Sequence, residues 1–229
     1  MVKVISLGGS LIVPNEINSE YLNRFKEVII KYSKREKFVI VCGGGRTARI
    51  YINALRNNRI NEKILDYIGI RITRLNAWLL INLFGKEVSA NLGKSLKDVE
   101  NLLNKKNIVI VGGLRYKPYN TSDGTAATIA SMLKCDFINM TNVKGLYNKN
   151  PKLKGAKFIP KITFDDFYKT ANKIKYKAGQ HFVLDQSAAK IIKENKIRTY
   201  IISKDLKNLE KILKEKKFIG TVVDSFFLI

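Results

Sequence analysis

The sequence predicts an α/β fold, a three-layer αβα sandwich around a mainly parallel sheet. Short apolar runs rich in β-branched residues alternate with segments whose apolar residues recur at helical spacing, and three of the runs end in glycine turns. Strands separated by helices are joined by crossovers, which make the strands parallel and cover the sheet on both faces.

Val2 to Leu7 is the first strand, ending in Gly8-Gly9-Ser10. Glu20 to Tyr32 carries Tyr21, Leu22, Phe25, Val28, Ile29 and Tyr32 on one helical face. Phe38 to Cys42 is the next strand, followed by Gly43-Gly44-Gly45 and a helix to about Leu55. Glu62 to Phe84 has helical spacing and is expected as one or two helices. Between Gly85 and Leu103 a short strand, Glu87 to Ala90, and a helix after Ser95 are expected. Ile108 to Val111 is a strand ending in Gly112-Gly113, and the polar loop LRYKPYNTSD leads to a helix capped by Ser122 or Asp123 that runs to Leu133. Phe137 to Met140 is a strand opening into Thr141 to Tyr147. After a loop around Pro151 come helices Thr163 to Ala171, Ser187 to Glu194 and Leu206 to Lys216, and strands Arg198 to Ile202 and Thr221 to Val223. No repeat or linker divides the chain. It is expected as one unit over residues 1–229, with residues to about 140 and from 141 onward as two lobes of one sheet.

With 229 residues and 45% apolar content, a substantial core can form. No apolar run approaches the roughly 20 residues that span a membrane, and Met1 leads straight into a strand, so the protein is expected to be cytoplasmic. Cys42 and Cys135 form no CxxC pair and read as small buried hydrophobes. His181 is the only histidine, which excludes multi-histidine metal sites, and it reads as a loop residue without a catalytic role. The formal charge of +23 favours polyanions such as nucleotides, but the lysines are scattered without an Arg-rich arm, so nucleic acid is not the expected partner.

Three strands end in glycine turns, at residues 7–10, 42–45 and 111–113. In a parallel sheet those ends share one edge, where open α/β folds bind ligands. One such turn needs no ligand, but three together suggest a long or multiply charged phosphate ligand cradled by main-chain N–H groups. Arg46 directly follows the triple glycine, and Arg49 lies one turn into the helix after it. Neither GxxxxGK[ST] nor a strand-linked GxGxxG is present, which disfavours a Walker-type NTPase and a dinucleotide-binding fold.

The blocks GGS at 8–10, GGGRTAR at 43–49, DYIGIRITRLNA at 66–77, TSDGTAA at 121–127 and TNVKGLY at 141–147 resemble the amino acid kinase family. Within it they are similar to the archaeal type of uridylate kinase, which phosphorylates UMP to UDP with ATP. The resemblance covers almost the whole chain and implies a homo-oligomer, a hexamer built from dimers, using Mg²⁺ with ATP. It implies that Gly8, Gly9, Ser10, Gly45 and Arg49 meet the ATP phosphates and that Thr141, Asn142, Tyr147 and Asn150 form the adenosine pocket. Gly44 and Asp66 are implied to meet UMP, with Leu114, Arg115, Asn120, Thr121 and Ser122 in the loop that closes over it. Arg49 and Asp185 are implied to be catalytic; no metal ligand is assigned. The chemistry agrees: phosphoryl transfer needs in-line placement and charge neutralisation, and an already ionised phosphate acceptor needs no strong base.

The chain departs from the family at several points. Ser6 stands where most of the superfamily has lysine, a lysine that the archaeal type also lacks. Lys144 and Asn150 replace aspartates, and LRYKPYN replaces a shorter, glycine-containing loop. Asp66 also reads as a complement to a helix dipole, Asp123 and Asp185 as helix caps and Tyr147 as a packing residue. Trp78 reads as core or subunit interface. A nucleotide sensor without turnover, an RNA binder and a kinase of the same superfamily with another acceptor remain as alternatives.

Overall fold

The structure, a computed structural model, describes residues 1–56, 58, 60–116, 121–173 and 185–225. In chain order it contains β1 (Val2–Leu7), α1 (Gly9–Ile12), α2 (Ser19–Ser33), β2 (Lys37–Cys42), α3 (Gly45–Arg56), α4 (Glu62–Phe84), α5 (Leu96–Leu103), β3 (Ile108–Val111), α6 (Ser122–Leu133) and β4 (Asp136–Met140). There follow β5 (Leu146–Tyr147), β6 (Phe158–Ile159), β7 (Lys161–Ile162), α7 (Phe164–Asn172), α8 (Gln186–Asn195), β8 (Thr199–Ile202), α9 (Leu206–Leu213) and β9 (Thr221–Val223).

Seven strands form one sheet in the order β3-β2-β1-β4-β8-β9-β7. From β3 to β8 every pairing is parallel, and β9 turns antiparallel against β8. Side chains alternate across the sheet. Ile5, Leu7, Phe38, Ile40, Cys42, Ile108, Ile110, Ile138 and Met140 face a core closed by α2, α4 and α9, in which Phe25 and Phe84 are fully buried. Val4, Val39, Val41, Val109, Val111 and Phe137 face a second core under α5, α6, α7 and α8. The helices over each core and the sheet between them are the three layers expected. Each fully buried Phe contributes on the order of 2–3 kcal/mol by leaving water, so both faces are needed to hold the strands in place.

The end of β1 shows how the alternation prepares the site: Leu7 points into the first core, and Ser6, on the opposite face, points at α6. The Glu62–Phe84 segment is a single 23-residue helix that begins at an Asn61 cap and ends where Gly85 takes a φ of 60°. Ser95 caps α5 through a reciprocal pair with Asp98, as its placement suggested.

The structure departs from the sequence reading at four places. The cap of α6 is Thr121, whose hydroxyl accepts from Gly124 N–H, and neither Ser122 nor Asp123. Asp123 instead turns inward to Ser6. The strand expected over Glu87 to Ala90 is a single 3-10 turn at Gly85–Glu87 with one bridge from Val88 to Ile108. The last helix stops at Leu213, three residues short of Lys216. The short elements α1, β5, β6 and β7, of two to four residues each, are too brief to show a period.

Candidate active site at the exits of the parallel strands

β1, β2, β3 and β4 all leave the sheet on one edge, so Gly8–Ser10, Gly43–Gly45, Gly112–Leu114 and Thr141–Asn142 stand side by side. The first two exits are interlocked. A Cβ on Gly9 would stand 1.9 Å from the amide nitrogen of Gly45, and one on Gly45 would stand 2.3 Å from the carbonyl oxygen of Gly9. Gly45 also has a φ of +65°, which a side chain rarely adopts. These glycines therefore let two main chains touch, and their joint places the start of α3 beside the start of α1.

Above that joint lies a cleft of about 330 Å³ lined by Ser10, Leu11, Pro14, Asn18, Tyr21, Arg49, Asn142 and Lys204. Three of the residues assigned to the donor nucleotide from sequence, Ser10, Arg49 and Asn142, are brought together here from α1, α3 and the exit of β4. Arg49 is half-buried, and its burial and the neighbouring Arg46 charge both lower its pKa, so the guanidinium favours an anion in contact with it. Lys204, just beyond β8, is a second cation in the cleft. Sequence reading passed it over because nothing in ISKD marks it; only the parallel alignment of β8 with β4 brings it to this edge.

On the other side of the edge two carboxylates meet at the starts of α6 and α8. Asp185 caps α8 by accepting from Ala188 N–H at 2.9 Å, and it also accepts from the hydroxyl of Thr121. Asp123 accepts from Ser6 Oγ at 2.6 Å. Burial, and then the nearby Asp185 charge, push the Asp123 carboxyl up to about 7, against the Ser6 hydrogen bond. Burial also raises Asp185, against its bonds from Thr121 and from backbone N–H groups. The pair thus holds a proton easily and would welcome a cation. Asp185 is thus the helix cap that its position suggested, while Asp123 leaves the capping of α6 to Thr121.

The turns that leave β2 and β3 rest on α4. Asn76 donates to the carbonyl of Gly43 at 2.7 Å, and Thr73 Oγ1 accepts from Gly113 N–H at 2.8 Å. Arg74 donates from Nε to the carbonyl of Gly113 at 2.8 Å and from Nη2 to that of Leu114 at 2.9 Å. The sequence singled out Asp66 in this helix and missed these three, although Thr73 and Asn76 are buried polar residues among buried apolar ones. That signal was readable: a polar side chain on the core-facing stripe of a helix needs a partner. Asp66 lies two turns N-terminal to Thr73 on the same face, about 10 Å farther along the axis. Its carboxyl is raised by burial and by Glu62.

Other assigned residues are placed as follows. Gly8 and Gly44 sit within the two interlocked turns, Leu114 is buried, Arg115 is exposed, and Ser122 opens α6. Tyr147 packs its ring on Phe158, with centroids 5.5 Å apart. Asn150 accepts from Lys152 N–H in an exposed turn. Asn120 and His181 lie outside the described residues. Cys42 is buried and Cys135 half-buried, and burial raises both thiols. No described helix is long and apolar enough to cross a membrane.

Known proteins resemble this chain in both sequence and fold. Residues 1–203 match the profile of the amino acid kinase family. The uridylate kinase of Thermococcus kodakarensis is 37% identical over 224 residues, covering 96% of this chain and 98% of its own. The crystal structure of uridylate kinase from Archaeoglobus fulgidus superposes with a TM-score of 0.85 at 36% identity, covering 97% of this chain and 100% of that one. The UMP kinase structure from Bacillus anthracis, at 20% identity and a TM-score of 0.80, shares the fold. With residues 1–203 matching the family profile and a relative 37% identical over nearly the whole length, the chain belongs to the amino acid kinase family.

Proposed function

We infer that this protein is a UMP kinase, transferring the γ-phosphoryl group of ATP to UMP to give UDP and ADP. The observation that carries the reading is the attachment of Thr73, Arg74 and Asn76 to the exits of β2 and β3. The block in which the resemblance to uridylate kinases is most specific is the one that builds the acceptor side of the edge.

The donor triphosphate is taken to lie across Gly8, Gly9, Ser10, Gly45 and Arg49, with adenosine towards Thr141, Asn142, Tyr147 and Asn150 in the lobe from about residue 141. UMP is taken to lie over Gly44, below Asp66, with Leu114, Arg115, Asn120, Thr121 and Ser122 around it in the lobe to about residue 140. Arg49 holds the moving phosphoryl group against its charge repulsion, and Lys204 adds a second positive charge on the donor side. Asp185 orders the start of α8 and the Thr121 hydroxyl. The UMP phosphate attacks as it stands, so no side chain needs to remove a proton.

Mg²⁺ with ATP fits the residues present. Among the described residues no three His, Cys, Asp or Glu side chains gather, so the ion would ride on phosphate oxygens and water, with Asp123 and Asp185 as the nearby carboxylates. When bound it supplies charge neutralisation on the phosphates. A cytoplasmic homo-oligomer is part of the proposal. Ile50 and Tyr51 on α3 and Ile64, Leu75 and Trp78 on α4 are large apolar side chains left exposed, Leu75 at 65% and Trp78 at 50%. A second copy would cover them, and light scattering reads whether the mass is that of six chains.

The deciding experiment is a coupled ADP-release assay with UMP, CMP, isopentenyl phosphate and a carboxylate offered in turn. UMP is expected to be preferred by at least about a hundredfold over a non-nucleotide acceptor, since a site built on hydrogen bonds rejects ligands lacking them. Preference for a non-nucleotide acceptor, or nucleotide binding without turnover, would overturn the reading.

A further inference from the structure

The turn that leaves β3 is docked on α4 as tightly as main chain can be. A Cβ on Gly112 would stand 2.5 Å from the amide nitrogen of Arg74, so the glycine is there to let the turn lie against the helix. Thr73 Oγ1 accepts from Gly113 N–H and passes its own hydrogen to the carbonyl of Ile70 at 2.7 Å. The two-pronged Arg74 guanidinium then takes two consecutive carbonyls, those of Gly113 and Leu114. Two residues on, Tyr116 stacks on Tyr67 of α4 with centroids 4.9 Å apart, and Lys63 Nζ lies 5.8 Å from the Tyr116 ring centre.

Arg74 has no carboxylate partner among the described residues, so its fixed fork is spent on main chain. A planar trans peptide directs its N–H opposite to its C=O. With the carbonyls of Gly113 and Leu114 held towards α4, the N–H groups of Leu114 and Arg115 are turned away from it. Neither N–H has an acceptor among the described residues. The clamp thus presents two consecutive donors at the exit of β3, where a ligand carbonyl could accept from them and an amino group could not.

We propose that Arg74 is a positioning residue for the acceptor: by holding the carbonyls of Gly113 and Leu114 it aims the following N–H groups, and so favours a keto pyrimidine over an amino pyrimidine without touching either substrate. The proposal rests on the UMP kinase reading for its ligand. The clamp itself does not depend on that reading. Lysine is no equivalent here, because an ammonium lacks the rigid fork that fits two successive carbonyls.

The test compares the full-length protein with Arg74→Met, which keeps the apolar stem and loses both bonds, and with Arg74→Lys. Initial rates are measured with UMP, CMP and ATP each varied, and exchange of the Gly113 amide is followed without nucleotide. For Arg74→Met the KM for UMP is expected to rise about tenfold or more, as two lost hydrogen bonds allow, with the KM for ATP unchanged within about twofold. The UMP over CMP preference is expected to fall by a similar factor, and Gly113 exchange to quicken. Equal changes in both KM values, or an unaltered preference, would overturn the proposal by making Arg74 merely structural. If Arg74→Met does not fold, Arg74→Lys carries the test, with the same split at roughly threefold. Should the wild-type protein turn over no UMP, the functional reading fails, and unchanged Gly113 exchange in the variant would separately refute the clamp.

Discussion

At the exits of β1 and β2 main chain meets main chain: Gly9 and Gly45 touch with no room for a Cβ, and Asn76 closes the joint from below. Beyond β4 the chain is built otherwise. From Asn148 to Asn150 and at Lys144 it is exposed, tied by the two-residue pairing of β5 with β6 and by Asn150 to its own turn. Both regions are assigned to the same nucleotide, yet one constrains every atom and the other leaves side chains to water. A close backbone contact admits one residue type, whereas an exposed loop admits charge reversal. That contrast fits the resemblance to the family, which is close at GGS and GGGR and implies aspartates where Lys144 and Asn150 stand.

The contrast is broken most directly at the joint. Gly9→Ala puts a methyl 1.9 Å from the Gly45 nitrogen, and Gly45→Ala adds the left-handed φ to a clash with Gly9. Each is expected to cost more than about 4 kcal/mol and to leave little soluble protein, since neither neighbour is a side chain that can swing away. Melting temperatures within a few degrees of the wild type would show that the two turns are free to part.

Next comes the side chain that stands on the joint. Arg49→Ala removes a charge from the cleft without disturbing the glycines, so turnover is expected to fall roughly 10²- to 10³-fold, the range for loss of one transition-state donor, with the melting temperature kept. Asp66→Asn is expected instead to raise the KM for UMP about tenfold at nearly constant turnover. The pair separates the donor side from the acceptor side; wild-type rates and UMP affinity in both variants would remove both assignments.

A smaller effect follows from Asp123, whose folded pKa, at about 7, lies above the ordinary aspartate value near 4. The folded protein then binds this proton more tightly than the unfolded chain does. The stability it contributes is complete below about pH 4 and is lost as the pH rises through 7. Asp123→Asn should match the wild type near pH 4 and melt several degrees higher near pH 8, because the amide never buries a charge. A wild type that gains on the variant as pH rises would mean that a cation already neutralises Asp123.

The strands and long helices were legible in the sequence because each carries its own local mark: Val2–Leu7 and Phe38 to Cys42 are short apolar runs, and Glu62–Phe84 carries a helical stripe. The glycine turns were expected on one edge, and the parallel strands bring them there. Their physical reason was only half legible, since the contact between Gly9 and Gly45 joins residues 36 apart and no local pattern encodes it. Asp123 read as a cap because it sits at a helix start, but Ser6, far away in sequence, takes it inward and leaves capping to Thr121. Lys204 was invisible for the same reason, as its place is set by which strand β8 pairs with. What a sequence shows of a site is the part that local geometry demands; partners delivered by topology appear only when the sheet is assembled.

The smallest expected effect lies in the exposed segment. Lys144 and Asn150 each stand in water, where a single charge contributes at most about 1 kcal/mol and is screened at salt of about 0.15 M. Lys144→Asp and Asn150→Asp together should therefore change the KM for ATP by less than about fivefold, and most of that change should vanish when the ionic strength is raised to about 0.5 M. The reason is distance as well as exposure: Tyr147 turns its ring to Phe158, so the hairpin is held by its own packing and not by the charges at issue. A change above about tenfold that survives added salt would place Lys144 or Asn150 in direct contact with the donor. The segment beyond β4 would then be as constrained as the interlocked glycines, and its departure from the family would be a change in how the donor is held.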